Sequence, residues 1–348
     1  MKQSYIDILK NLKESDSKNR LPNDRILLID GLNTFIRAFA VNPSTNDDGI
    51  HIGGMTGFLQ SIGYAIKNIK PTRVIICFDG KGGSSKRRKL FPEYKANRKV
   101  RKRLTRLSSF HSQEDERASM SQQISRLIQY LDVLPITTLA PENIEADDSM
   151  AYISQQVYPE SQFYIMSTDK DFLQLVSNRI QIWSPTKKKF YFKDTVLEDF
   201  KIPAHNFLLY RTMTGDNSDN IPGIKGVGIK TLAKRLPILF EDRKITINQI
   251  LDFTKKSDDT SKIIKTISES EELMRLNYDL MQLVNVDIGG SAKSKIIDIV
   301  KKPISRLVKY KFQKMMLEDK LNTAIKNPDL WLKTCFSHLD SMAAKSNE

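Results

Sequence analysis

The chain has 348 residues, is 40% hydrophobic and carries a formal net charge of +14, which describes a globular protein with one large core or two modest ones and excludes a disordered one. No apolar run approaches the roughly 18 residues that span a bilayer, and the N-terminal MKQSYIDILKNLKESDSKNR lacks a signal-peptide core. Two cysteines, Cys77 and Cys335, and four scattered histidines give neither a disulfide framework nor a zinc site, so a reduced, cytoplasmic location with no membrane partner is expected.

In chain order, residues 1–23 read as a polar, partly helical tail. ILLID (26–30) is the first strand. MTGFLQSIGYAIKNIK (55–70) places Phe58, Leu59, Ile62, Ala65, Ile66 and Ile69 at helical spacing, and RVIICF (73–78) returns as a parallel strand. Residues 81–106 then hold twelve Lys or Arg against one acid, Glu93, leaving only +3 for the other 322 residues. A solvated face mixes signs, whereas a one-sign block reads as a polyanion footprint. Leu90, Phe91, Tyr94 and Leu104 interleave with the charge, the combination that grips a single strand. Arg87, Arg88, Arg101, Lys102 and Arg103 are its candidate phosphate contacts; a disordered basic linker is the alternative.

A polar stretch through Arg117 precedes a helix of about 119–133, and 145–158 forms another. A third buried strand covers 163–167. IQIWSPTKKKFYF (180–192) reads as a hairpin with Lys187, Lys188 and Lys189 at its tip, either a second backbone contact or a solvated turn. From about 201 the texture is helical. Residues 254–270 read as a helix–helix connection, and PISRLVKYKFQKMMLEDKLNTAI alternates apolar and basic faces.

Nine carboxylates in five clusters stand out against this frame: Asp30; Asp79; Glu145, Asp147 and Asp148; Asp169 and Asp171; Asp216 and Asp219. Asp30, Asp79 and Asp169 each follow a β-branched run that reads as a buried parallel strand, and the carboxyl ends of such strands are where open α/β sheets bind ligands. Negative charge concentrated there needs a cation, and oxygen-only ligands suit Mg²⁺ or Mn²⁺. The plainer alternative makes each Asp a helix or turn cap.

The segment IPGIKGVGIKTLAKRL (221–236) reads as a helix-hairpin-helix element. Gly223, Gly226 and Gly228 let backbone amides approach a phosphate, Lys225 and Lys230 flank the turn, and a helix starts near Ile229. Such an element holds phosphates without reading bases. A glycine-rich loop between packed helices is the alternative.

The order LLIDGLN, FDGKGG, FPEYKANR, EADD, STDKD, GDNSDNIPGIKGVGIKTL resembles the structure-specific 5′ nuclease family, over roughly residues 25–290. That family includes flap endonucleases, phage 5′-exonucleases, phage ribonuclease H and the 5′-nuclease domain of bacterial DNA polymerase I. The resemblance implies a mostly parallel α/β core flanked by helices over 24–200, with a basic helical arch at about 81–118. A helix-hairpin-helix subdomain over 201–300 and C-terminal helices over 301–348 follow. No polymerase follows, so a free-standing, monomeric enzyme of the phage type is the expectation. Carried over by position, Asp30, Asp79, Glu145 and Asp147 are similar to ligands of a first Mg²⁺, with Asp148 beside them. Asp169, Asp171, Asp216 and Asp219 are similar to a second-metal cluster. Tyr94, Lys95 and Arg98 match the foot of the arch, and residues 221–228 resemble a potassium-binding turn. The implied activity is two-metal hydrolysis of phosphodiesters in 5′ flaps, branched or nicked DNA, and RNA–DNA hybrids, in replication or repair. Residues 301–348 are then a candidate contact for a single-strand-binding protein or sliding clamp. A non-catalytic DNA-binding protein and a PIN-like ribonuclease are the rival readings. The first predicts lost carboxylates, and the second does not account for the hairpin or the basic block.

Overall fold

The computed structural model describes residues 20–100, 110–321 and 324–347. Six strands form one sheet in the order β3-β2-β1-β4-β5-β6: β1 Arg25–Asp30, β2 Arg73–Cys77, β3 Thr137–Leu139, β4 Gln162–Met166, β5 Ile180–Ser184 and β6 Lys189–Tyr191. All pairings are parallel except β5 with β6. β1 lies at the centre, with Asp30 opposite Cys77 and Ile29 opposite Met166. The chain runs outward through β2 and β3 on one side and β4 to β6 on the other. That reversal opens a crevice above the carboxyl ends of β1 and β4.

Alternation along the strands divides the core. Leu27, Ile29, Val74 and Ile76 face one side of the sheet, Ile26, Leu28, Ile75 and Cys77 the other. Helices α1 Gly31–Val41, α2 Gly53–Ile69 and α4 Gln113–Asp132 cover the first side. The short α3 Ser85–Leu90 lies between β2 and α4 in the chain. The second side packs on α5 Ala146–Tyr152, continued by a π turn over Ile153–Val157, and on α6 Lys193–Phe200.

A separate core unites α7 Phe207–Thr214, α8 Ile229–Arg235, α9 Ile247–Lys256, α10 Lys262–Glu269 and α11 Glu271–Met281 through Met213, Leu232, Ile250, Ile267 and Met274. Tyr94, Leu208, Ile221, Leu280 and Met281 form the seam between this helical unit and the sheet. α12 Gly290–Val300 returns to the second face of the sheet. α13 Lys309–Glu318 and α14 Pro328–Ser346 add Phe312, Met316, Leu332 and Phe336 to the first core, so the C-terminal helices are part of the sheet layer.

Four readings of the sequence change. α1 was not placed, although a capping role was the plainer alternative for each Asp, and the Asp30 side chain does cap this helix. β3 is a three-residue edge strand, too short to show a period. α4 starts at Gln113, not near 119; its polar first turns carry no periodicity, and a capping box of Ser112 and Asp115 sets the start. Within 254–270, α10 buries Ile264 and Ile267, so most of the expected connection is helix. At the hairpin tip, Lys187 donates to the Tyr191 hydroxyl at 2.7 Å and Lys189 pairs with Asp199 at 2.7 Å, so both cations fold back on the chain itself. No described helix is long and apolar enough to cross a membrane.

Candidate active site

The strand ends bring the carboxylates together. Asp30 closes β1; its Oδ1 accepts from the Asn33 amide at 3.1 Å and its Oδ2 from the Ser167 hydroxyl at 3.1 Å. Asp79, just past β2, accepts from the Ala146 amide at 2.8 Å and so fixes the start of α5. Asp169, past β4, caps a 3₁₀ turn over Lys170–Leu175 by accepting from the Asp171 amide at 2.8 Å. Capping and convergence therefore coexist: Asp30 and Asp169 are caps, and they also face a shared cavity. Glu145, Asp147 and Asp148 at the start of α5 each offer a carboxylate oxygen within 4.8 Å of the others.

The cavity, about 690 Å³, is lined by Asp30, Asp79, Glu145, Asp147, Asp169 and Asp216, with Lys95 and Arg98 among its cations. Asp148, Asp171 and Asp219 are not lining residues. Among the described residues the acids divide by partner. Arg87 donates to Glu145 and, through two bonds of 2.8 Å, to Asp148. Lys95 pairs with Glu145, and Arg98 with Asp219. The buried Tyr94 hydroxyl reaches Glu145 at 3.2 Å and Asp219 at 3.4 Å. Arg211 pairs with Asp171 at 2.8 Å and with Asp216. Asp30, Asp79 and Asp169 receive only backbone and hydroxyl donors, and Asp147 lies 3.6 Å from Arg87.

The titration of these groups follows that division. Burial, reinforced by the charge of Asp79, pushes Asp30 up to about 6. Burial also raises Asp169, with Asp171 adding to it, and raises Asp147 well above the carboxylate range despite Arg87. Burial opposes ionisation of Glu145 and Asp216 too, but Arg87 and Lys95 on one and Arg211 on the other overcome it and hold both low. Buried oxygens without a contacting ammonium or guanidinium are the donors a hard divalent cation takes, and such an ion removes the penalty that raises them. Asp30 and Asp169 fit that role; the exposed Asp79 also lacks a cationic partner, and Asp147, 3.6 Å from Arg87, faces the same cavity.

Two expected site residues sit differently from their neighbours. Arg87, a candidate phosphate contact, is 8% exposed, and its guanidinium bonds Glu145, Asp148 and the Leu280 carbonyl. The hairpin glycines divide as well. A Cβ on Gly223 would lie 2.3 Å from the Thr214 carbonyl oxygen, so its glycine is required by the chain's own packing. Gly226 has φ +78°, where an L side chain is strained, and Gly228 is extended with open space around it. Lys225, Lys230 and Arg88 are exposed, while Arg101, Lys102 and Arg103 lie outside the described residues. Lys95 carries a left-handed backbone, φ 58°, and its amide donates to the Asp219 carbonyl at 2.8 Å. That places a cationic side chain at the cost of roughly 1 kcal/mol of local strain.

Arg211 was not anticipated. Its signal was a lone arginine in the apolar helix FLLYRTMT, one turn before GDNSDN. Arg37, Thr168 and Lys170 also line the cavity, and Arg37 donates to Thr168 at 3.0 Å.

The model of the 5′-3′ exonuclease N-terminal resolvase-like domain matches residues 25–201. A 5′-3′ exonuclease of Buchnera aphidicola subsp. Acyrthosiphon pisum is 30% identical over 291 residues, 83% of this chain and 96% of the relative. A 5′-3′ exonuclease of Bacillus subtilis is 28% identical over 221 residues, 61% of this chain and 69% of the relative. Among solved structures, T5 5′-exonuclease with bound zinc superposes with a TM-score of 0.64 at 21% identity, covering 80% of this chain and 98% of that one. A T5 D15 flap endonuclease complex with DNA and metal ions gives 0.60 at 21%, covering 85% and 99%. These two structural likenesses concern the fold.

Proposed function

We propose a specific reaction for this chain, which belongs to the 5′-3′ exonuclease family and is a nuclease: hydrolysis of a phosphodiester near the 5′ end of a flap, nick or branch in DNA, leaving a 5′-phosphate and a 3′-hydroxyl. The observation that carries it is the division of the acids: three strand-end carboxylates without a cationic partner face a cavity with Lys95 and Arg98 among its lining residues.

Asp30, Asp79 and Asp147 would hold one divalent ion and Asp169 a second, Mg²⁺ with Mn²⁺ able to substitute. When bound, such ions neutralise the scissile phosphate, lower the pKa of the attacking water and stabilise the leaving oxygen. The chain's own groups do the rest. Lys95 and Arg98 exchange Glu145 and Asp219 for the incoming phosphate and offset the charge that grows on its oxygens. Tyr94 keeps Glu145 and Asp219 oriented while those cations turn. Arg87 and Arg211 hold the acids behind the cavity rigid, so the open carboxylates keep their spacing.

The hairpin over 221–228 supplies position. Lys225, Lys230 and the open backbone at Gly226 and Gly228 hold a duplex phosphate, and neutral carbonyl oxygens there are the donor type K⁺ takes. The test is purified protein with Mg²⁺ on 5′-labelled flap, nicked, blunt and single-stranded DNA. Preferred incision of flap or nicked substrates, lost in Asp79→Asn, is expected. Equal cleavage of all four, or activity unchanged by chelation, would overturn the reading.

A further inference from the structure

α11 is tied to both halves of the machinery. Asn277 is fully buried within it, and its Nδ2 donates to the Thr212 carbonyl at 2.8 Å and the Pro222 carbonyl at 2.7 Å. Thr212 belongs to α7; Pro222 opens the hairpin turn. One turn further on, the Leu280 carbonyl accepts from Arg87 Nε at 2.8 Å, and Arg87 carries Asp148. The Met281 carbonyl accepts at 3.0 Å from Gln174, whose amide nitrogen also donates to the Asp171 carbonyl at 2.8 Å. Gln174 in turn accepts from the Leu283 amide at 2.8 Å.

We infer that α11 is a spacer that fixes the distance from the hairpin to the carboxylate cavity, and so fixes which phosphodiester is cut. Asn277 and Gln174 are its positioning residues. The inference rests on the reading that the hairpin holds a duplex phosphate. A helix is stiff along its axis, and Asn277 and Met281 are separated by about 6 Å of rise. Successive phosphates on one strand are spaced about 3.4 Å along the duplex. A hairpin displaced by that amount would offer the neighbouring bond to the cavity, and a smaller displacement would misalign the intended one. Asn277 also has a buried Oδ1 with no hydrogen-bond partner. A residue selected for packing alone would be apolar here, so the two Nδ2 bonds are what the position requires.

The test maps incision at single-nucleotide resolution on a 5′-labelled flap with Mg²⁺, beside binding of the same flap in EDTA. Asn277→Leu removes both bonds. It is expected to spread incision over neighbouring phosphodiesters and to slow the intended cut by about 100-fold in single turnover, while a short single strand is still hydrolysed at the parental rate. Asn277→Ser, which keeps one donor, falls between. Gln174→Leu loosens the other end and is expected to spread incision in the same way, and it decides the matter where Asn277→Leu does not fold. An unchanged incision pattern in the folded variants, or equal slowing on flap and single strand, overturns the spacer. The double variant Lys225→Ala/Lys230→Ala separates the premise. Weaker flap binding with an unmoved incision site supports both readings, and unchanged binding removes the hairpin's role and the spacer with it.

Discussion

Arg87 grips Asp148 through two parallel hydrogen bonds of 2.8 Å, a bidentate pair of which neither member lines the cavity. The same guanidinium reaches Glu145, so its removal leaves two carboxylates short of their counter-charge. Breaking such a buried pair costs about 3–5 kcal/mol. Arg87→Met should therefore lower stability in urea by that order without metal, and Arg87→Lys by less, because a lysine keeps charge but not the fork. The salt dependence of flap binding should stay parental. A salt slope reduced by about 0.7, the signature of one lost single-strand phosphate contact, would return Arg87 to the DNA interface.

The open and paired acids should respond differently to loss of charge. Asp79→Asn or Asp147→Asn should abolish cleavage, since each removes a cavity carboxylate that accepts no hydrogen bond from a cationic side chain, Arg87 standing 3.6 Å from Asp147. Asp216→Asn removes an acid already held by Arg211 and Ser218, and should cost about 10–100-fold, partly recovered at raised Mg²⁺. Flap affinity in EDTA should survive in all three. Single-turnover cleavage across a Mg²⁺ titration is the measurement; equal, complete loss in Asp216→Asn and Asp79→Asn would count against the division.

Asp30 makes the metal-free protein sensitive to pH. Its carboxyl titrates at about 6 in the folded chain, against about 3.9 unfolded, so the folded state keeps a proton that the unfolded state releases. The stability this contributes is complete below about pH 4 and is lost as pH rises through 6, at about 1.4 kcal/mol for each unit of displacement. Asp216 and Glu145, held low, contribute with the opposite sign, so the comparison must isolate Asp30. In EDTA, Asp30→Asn should melt above the parent at about pH 7.5 and level with it at about pH 4. Mg²⁺ should then raise the parent's Tm at the higher pH and leave the variant nearly unmoved. A variant that melts below the parent at both pH values would count against a buried, uncompensated carboxyl at Asp30, since an asparagine keeps the helix cap.

Much of this was legible in the sequence, for a physical reason. A parallel strand buried on both faces is a continuous β-branched run, and a polar residue ending that run can only lie at the sheet's carboxyl edge; that located Asp30, Asp79 and Asp169. Residue order does not show which acid meets which cation. Arg87 sits in a block of twelve basic residues and looks like its neighbours, yet it alone in α3 is buried, because α11 passes over it. Arg211 and Asn277 are single polar residues in apolar helices, and their partners lie on other elements. β3 was lost because three residues are too few to set a period, and α10 because its three isoleucines, Ile263, Ile264 and Ile267, sit in a short, otherwise polar stretch that reads as a connection.

The hairpin offers the cleanest separation of folding from substrate binding, because its glycines differ in what surrounds them. Gly223→Ala drives a methyl into the Thr214 carbonyl and should destabilise the protein by about 1–3 kcal/mol, with cleavage of flap and single strand falling together. Gly226→Ala forces an L residue to φ +78° and brings its Cβ to 3.3 Å from Ile263, a cost of roughly 1 kcal/mol. Gly228→Ala meets nothing within 4 Å and keeps an extended backbone, so Tm should not change. If the chain approaches a duplex phosphate there, the added methyl still stands between them. Duplex affinity should then fall by about tenfold, roughly 1.4 kcal/mol, while hydrolysis of a short single strand stays at the parental rate. The measurements are thermal melting, binding of an uncleaved duplex in EDTA, and single-strand cleavage with Mg²⁺. A Gly228→Ala protein that binds duplex as tightly as the parent would place the phosphate away from this turn and leave Lys225 and Lys230 to hold it alone.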